Sequence, residues 1–340
     1  MGKSIKFAVI GVDHGHIYGM IDGLLSAGAE FAGWCTGPET PNEVSGAFGT
    51  CYDAFPMLSE ERVLEDTSIS LILSAAINSD RTDIAIRSMQ HGKDVLVDKP
   101  GCTSFEQLSR IKAVVEATGR RWVVCFSERL TVESTTVVDR LISEGRVGRV
   151  VQTVGLGPHR RNAHLRPAWF WERHRSGGIL NDICAHQYDQ FLHFTGSTEA
   201  RVISAHVGNV ANPERPDFHD FGEVLLEGSG GRGYARVDWL TPDGLPTWGD
   251  GRMTILGTEG YIEMRKYIDI GGEPGGDHVF LVDRKGIQRF KAEGAGTPFF
   301  GKFLRDVDER SETAMRQDHA FLATELSLQA QRMAEEEMTR

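Results

Sequence analysis

A change of rhythm near residue 126 constrains the fold of this 340-residue chain more than any other feature. Up to that point, short apolar runs alternate with helix-like stretches. Residues 5–10, 31–35, 69–75, 94–97 and 122–126 read as strands, and 16–26, 81–91 and 105–117 as helices. The last helix is opened by a Thr103-Ser104-Phe105-Glu106 capping box. Strands that alternate with helices imply a parallel sheet covered on both faces, because a parallel pair needs a long crossover. After residue 126 the spacing predicts a helix over 133–143, a strand over 149–154 and a helix over 179–194. Seven segments then follow without helices between them: 202–208, 221–227, 233–239, 253–256, 261–264, 279–282 and 287–290. Alternating residues and Gly-rich turns in that stretch predict an antiparallel sheet. Helices near 299–309 and 318–336 close the chain. The expected division is 1–125 and 126–340.

Composition narrows the class of partner. Lys and Arg number 37 against 48 Asp and Glu, a formal charge of −11, which argues against nucleic acid and anionic membrane surfaces. The longest uncharged stretch, 67–79, falls well short of the ~20 apolar residues that span a bilayer. The apolar run 7–11 is broken by Asp13 too early to form a signal-peptide core. Five scattered cysteines with no C-x-x-C pair fit free thiols in a reducing, cytoplasmic setting.

The first strand runs into Gly11-Val12-Asp13-His14-Gly15-His16. Glycines there let a backbone approach a pyrophosphate at a helix N-terminus, and a side chain at Gly11 or Gly15 is expected to intrude on that space. Asp13 occupies the middle glycine position of G-x-G-x-x-G. Thr36 stands after the second strand, where an acid would accept from a ribose 2′-hydroxyl, and no Lys or Arg follows closely to hold a 2′-phosphate. NAD and NADP both stay open, with a lean to NAD. Asn78 and Asp98-Lys99-Pro100 follow later strands at the carboxyl edge of the same sheet, where ligands bind in open α/β folds. In the helix over 179–194, Asp182, His186, Asp189 and His193 share one face and Leu180, Ile183, Cys184, Phe191 and Phe194 the other. By itself that pattern describes a solvated polar face equally well. The loop 158–175, with His159, Arg166 and Trp169 among its donors and aromatic rings, suits a sugar or polyol.

These residues, in this order, resemble the family of glucose-fructose oxidoreductase, inositol dehydrogenase and MocA-type proteins. The resemblance rests on the glycine turn, Asn78, Asp98-Lys99-Pro100 (usually Glu-Lys-Pro), Arg129, the Gly-Gly-x-Leu-x-Asp-x-x-x-His stretch of 177–186 and Gly257-Thr258-Glu259-Gly260. It implies an N-terminal doubly wound Rossmann domain. A C-terminal α/β domain would carry a large, mostly antiparallel open sheet through which homodimers or homotetramers form. It also implies a nicotinamide cofactor held by Gly11, Val12, Asp13, His14, Gly15, His16, Thr36, Asn78, Asp98 and Lys99. Lys99, Asp182 and His186 would be catalytic, and substrate would meet these three with Arg129, His159 and Trp169. The chain departs from the pattern at Asp13, at Thr36, and at Arg81, where a histidine is common.

Oxidising an alcohol removes a proton from oxygen as hydride leaves carbon, so a base with a pKa near the working pH is needed. An imidazole such as that of His186 meets this without adjustment. Lys99 would stabilise developing alkoxide and Asp182 would orient the substrate or His186. Redox-assisted elimination or hydrolysis would use the same groups. A metal-dependent hydrolase on His14 and His16 is a competing class, but its barrel would require strand–helix alternation throughout. No metal is therefore expected. A non-catalytic sensor is disfavoured by the retained Lys99, Asp182 and His186.

Overall fold

The computed structural model describes residues 4–338. Two compact units divide the chain: residues up to Cys125 with His174–Gly177 and Pro298–Phe321, and the remainder. The segments 174–177 and 298–321 thus fold with the first unit, although a single cut after 125 places them in the second half.

In the first unit, β1 (Lys6–Ile10), β2 (Glu30–Cys35), β3 (Leu71–Ser74), β4 (Asp94–Asp98) and β5 (Trp122–Cys125) form a parallel sheet ordered β2-β1-β3-β4-β5. Every residue of β3, β4 and β5 is buried, as expected of parallel strands covered on both faces. Crossovers include α1 (His16–Ser26), α2 (Asn42–Cys51), α3 (Glu60–Glu65), α4 (Arg81–Gln90) and α5 (Phe105–Thr118). Neither α2 nor α3 shows in the residue pattern. In α2 the single buried residue is Phe48, so no 3.6-residue apolar stripe exists, and α3 is under two turns long. The α5 cap is shifted by one residue from expectation. Ser104 accepts the Gln107 N–H at 3.2 Å and Gln107 Oε1 accepts the Thr103 N–H at 2.8 Å, so Gln107 and not Glu106 completes the box. The chain leaves β1 toward β2 and returns to β3 on the other side, and this reversal opens a crevice at the carboxyl ends of β1 and β3.

The second unit begins with α6 (Ser127–Leu130), α7 (Glu133–Ser143) and β6 (Val150–Pro158). After the short α8 (Arg173–Ser176), most of which belongs to the first unit, come α9 (Ile179–Asp182) and α10 (Ala185–Thr195). Strands β7 (Ala200–Gly208), β8 (Phe221–Gly228), β9 (Gly231–Asp238), β10 (Arg252–Gly257), β11 (Tyr261–Arg265), β12 (His278–Asp283) and β13 (Gly286–Lys291) follow. Of the last two helices, α11 (Phe299–Glu309) belongs to the first unit and α12 (Gln317–Met338) to the second from Leu322 onward. The eight-stranded sheet is ordered β13-β12-β11-β10-β6-β9-β8-β7, antiparallel apart from the β6–β9 pair. Helices between β6 and β7 carry the chain back across the sheet, and that is what permits the one parallel pairing.

The helix expected over 179–194 is two helices. At the break, the Cys184 N–H reaches back five residues to the Ile179 carbonyl (3.2 Å), and the Gln187 N–H reaches back three to the Cys184 carbonyl (2.8 Å). Nor does α10 carry a solvated face, since His186, Gln187, Asp189 and Gln190 are all buried. It lies so close to the sheet that a Cβ at Gly155 would sit 2.2 Å from Gln187 Oε1, and one at Gly233 2.6 Å from Phe191 Cδ2. Glycine at those two strand positions is what lets a polar helix settle into the interior. No helix among the described residues is long and apolar enough to cross a membrane.

Candidate active site

In the first unit, the Gly11–His16 turn borders the crevice and is tied to its neighbours through the backbone. Gly11 N–H donates to Cys35 O (3.0 Å), His14 N–H to Ala75 O (2.9 Å) and Ala75 N–H to Gly11 O (3.1 Å). Gly11 has φ +84°, and a Cβ there would lie 2.4 Å from Ala76 Cβ. Packing against Ala76 therefore requires this glycine whether or not any ligand is present. Gly15 differs: an added Cβ meets nothing within 4 Å. Val12 is buried, Thr36 is half-buried just past β2, and burial pushes the Asp13 carboxyl up from its ordinary pKa.

Asp98, at the end of β4, is a fully buried node. It accepts from His16 Nδ1 (2.9 Å), the Lys99 N–H (2.8 Å) and Arg81 Nη2 (3.3 Å), and His14 Nδ1 lies 2.9 Å from its Oδ2. Burial would raise its pKa, but His16, Arg81 and His14 outweigh that and hold it well below the carboxylate range. Burial and the neighbouring His16 push His14 down to about 4. Arg81, itself fully buried, also donates to the carbonyls of Ala76 (2.8 Å), Asp98 (3.0 Å), Lys99 (2.5 Å) and Pro100 (3.0 Å). This latch fixes the backbone that carries Lys99, whose side chain is also buried. Asn78 Nδ2 donates to Ser176 O (2.7 Å), anchoring the 174–177 segment. The nitrogen and oxygen atoms of His14, His16 and Asp98 lie within 4.8 Å of one another, a spacing that would also suit a cation, but Arg81 already balances the Asp98 charge. An open five-stranded sheet also lacks the barrel that a hydrolase built on these histidines would need.

In the second unit, His186 is buried on the first turn of α10, and Asp182, half-buried, ends α9. The guanidinium facing the Asp182 charge is that of Arg166, which lies over the rings of Phe170 (4.6 Å) and Trp239 (4.7 Å). Arg129 is committed elsewhere: Nε and Nη2 each donate at 2.6 Å to Asp189, so its fork is spent inside the unit. Trp169 is buried in a 3₁₀ turn. His159 Nδ1 donates to Gly157 O (3.1 Å), and the ring packs against Trp248 (4.5 Å) and Trp239 (5.4 Å). Glu128 and Lys266, which the sequence did not single out, form a buried ion pair at 2.7 Å. They are 138 residues apart, so no spacing rule could pair them. Burial would raise the Glu128 pKa, yet Lys266, His186 and His159 hold it far below the usual range. A cavity of about 410 Å³ lies nearby, lined by Arg160, Asn162, His164, Asn212, Trp239 and Asp243 among others.

Residues 5–126 match the family described as oxidoreductases with an NAD-binding Rossmann fold, and residues 136–263 match the GFO/IDH/MocA C-terminal domain. Among curated relatives, scyllo-inositol 2-dehydrogenase (NAD(+)) of Bacillus subtilis (strain 168) is 28% identical over 66% of this chain and 61% of its own length. The NADP(+)-dependent scyllo-inositol 2-dehydrogenase IolW of the same organism is 24% identical over 74% of this chain and 66% of its own. The chain thus spans about two thirds or less of these two relatives. A crystal structure of an oxidoreductase candidate from Erwinia carotovora atroseptica SCRI1043 superposes with TM-score 0.93 at 46% identity, covering 97% of this chain and 99% of that one.

Proposed function

The chain belongs to the GFO/IDH/MocA oxidoreductase family, and from that premise we propose that it transfers a hydride between a nicotinamide dinucleotide and a hydroxyl-bearing carbon of a sugar or polyol. One observation carries the reading: a single oxidoreductase family accounts for residues 5–126 and for 136–263. The first turn fits such a cofactor, because Gly15 leaves open space beside the N-terminus of α1, at the crevice where strand order reverses. Gly11–His16, Thr36, Asn78, Asp98 and Lys99 would hold it. When bound, the nicotinamide supplies the hydride acceptor or donor. His186 takes the hydroxyl proton, Lys99 donates a hydrogen bond to the same oxygen, and Asp182 orients the substrate. His159 and Trp169 shape the substrate wall, and Arg129 serves it by anchoring α10 through Asp189.

NAD is favoured over NADP in this reading. The β2–α2 loop offers Glu39, already paired with Arg175 at 2.8 Å, and no spare cation for a 2′-phosphate. Half-buried Leu225, Tyr234 and Val154 form a cross-strand row on the outer sheet face, which supports a dimer or tetramer through that face. Five free thiols support a cytoplasmic setting.

The test screens NAD and NADP with scyllo-inositol, myo-inositol, D-xylose and D-glucose, alongside fluorescence titration of NADH. His186→Ala and Lys99→Ala are each expected to lower turnover by about 10²–10⁴ with little change in NADH affinity. Turnover within about threefold of the parent in either folded variant overturns these roles.

A further inference from the structure

Glu128 sits on α6 with its carboxylate sealed from solvent. Its Oε2 accepts from Lys266 Nζ at 2.7 Å and from Gln187 Nε2 at 3.2 Å. Among the described residues no donor reaches its Oε1, which faces His159 Nε2 at 4.0 Å. Gln187 directly follows His186 on α10, so the carboxylate is moored one residue from that imidazole, and its charge acts on both His186 and His159. Lys266, just past β11, is equally enclosed.

His159, whose Nε2 lies 4.0 Å from Oε1, is kept unchanged in every variant compared below; the remaining ionisable groups around the carboxylate hold fixed states at neutral pH. Burial, with Glu128 adding to it, keeps the Tyr267 phenol protonated, and the Cys184 thiol is pushed up to about 12 for the same two reasons. Arg129 and Asp189 neutralise each other on the next turn of α10, and Arg166 offsets Asp182. What remains variable beside His186 is the balance between one buried anion and one buried cation.

We propose that the Glu128–Lys266 pair is a positioning device that sets the pH at which His186 gains and loses its proton. The inference rests on the reading of His186 as the proton acceptor. A nearby carboxylate favours imidazolium and a nearby ammonium opposes it, so the intact pair presents His186 with a small difference between two opposed fields. Removing either member unmasks the other, and in an interior of low effective dielectric one unmasked charge moves a neighbouring titration by about one pH unit. The two removals act in opposite directions.

The experiment follows the His186 imidazole by NMR in ¹³C-histidine-labelled protein without substrate or cofactor, assigned by His186→Gln. The acid limb of the pH–rate profile is recorded in parallel. Glu128→Gln is expected to move the His186 titration about one unit toward acid, and Lys266→Met about one unit toward alkali. The double variant, which has no unpaired buried charge, should return to within about 0.3 unit of the parent. If a single variant does not fold, the exchanged pair Glu128→Lys/Lys266→Glu keeps a partnered ion pair with its field reversed, and its titration should again move toward acid. Shifts of the same sign in both single variants, or none beyond about 0.3 unit, overturn the proposal. His186→Ala that keeps parental turnover while the NMR shifts remain opposed instead overturns the reading of His186 as the base. The two failures are thereby told apart.

Discussion

Each unit buries a carboxylate against a cation, Asp98 with Arg81 in the first and Glu128 with Lys266 in the second. Asp98 is saturated: it takes donors from α1, α4 and its own chain neighbour, while Arg81 spends its remaining N–H groups on four backbone carbonyls. Glu128 has one oxygen fully engaged and one that no donor among the described residues reaches, and Lys266 makes a single point contact with it. A planar guanidinium can bind a backbone corner from several directions, whereas an ammonium acts as a compact charge. The first pair therefore fixes geometry, and the second leaves a field that can be adjusted.

Removing the cation should expose that difference most strongly. Arg81→Met leaves Asp98 with only His14, His16 and the Lys99 N–H and strands four carbonyls, so a loss of about 5 kcal/mol in urea denaturation is expected, with failure to fold as the extreme. Lys266→Met strands the carboxylate alone, which His159 and His186 can partly offset, and a loss nearer ~3 kcal/mol is expected. Equal losses would erase the distinction between latch and adjustable pair.

The glycines of the first turn divide in a similar way. Gly11→Val combines a left-handed backbone with a 2.4 Å clash at Ala76 and should cost about 2–4 kcal/mol of stability before any ligand is added. Gly15→Val meets no neighbour, so its melting temperature should stay near the parent's while NADH affinity falls about tenfold or more in a fluorescence titration. Parental NADH affinity in folded Gly15→Val would remove the cofactor from this turn.

Acid stability gives a smaller effect with a definite sign. Glu128 titrates lower in the folded state than unfolded, so its contribution is complete only above about pH 5 and fades as pH falls toward the folded value. Glu128→Gln should therefore flatten the decline in urea midpoint between about pH 4 and pH 3 relative to the parent. The least effect is expected from chelation. With Arg81 balancing Asp98, EDTA should leave both turnover and melting temperature unchanged, and activity restored by added zinc or manganese would reassign His14, His16 and Asp98.

Much of this was legible in the residues. Strand–helix alternation followed by consecutive strands marked both sheets, because periods of 3.6 and 2 are local properties of a chain that buries one face. Lys99, Asp182 and His186 stood out through motif order, and Arg81 stood out as a departure from it. The short helices α2 and α3 were not legible, since neither carries enough buried residues to show a period.

What the sequence determined, then, is whatever depends on near neighbours: the glycine turn, the carboxyl-edge placement of Asp98-Lys99-Pro100, and a helix bearing His186. Tertiary structure decided the rest. The polar face of α10 is interior because Gly155 and Gly233 let the sheet approach it. Arg129 is spent on Asp189, 60 residues away, and Glu128 meets Lys266 across 138. Such pairings depend on desolvation and distance in three dimensions, and a buried charge gives no sign in the sequence of which distant partner will satisfy it.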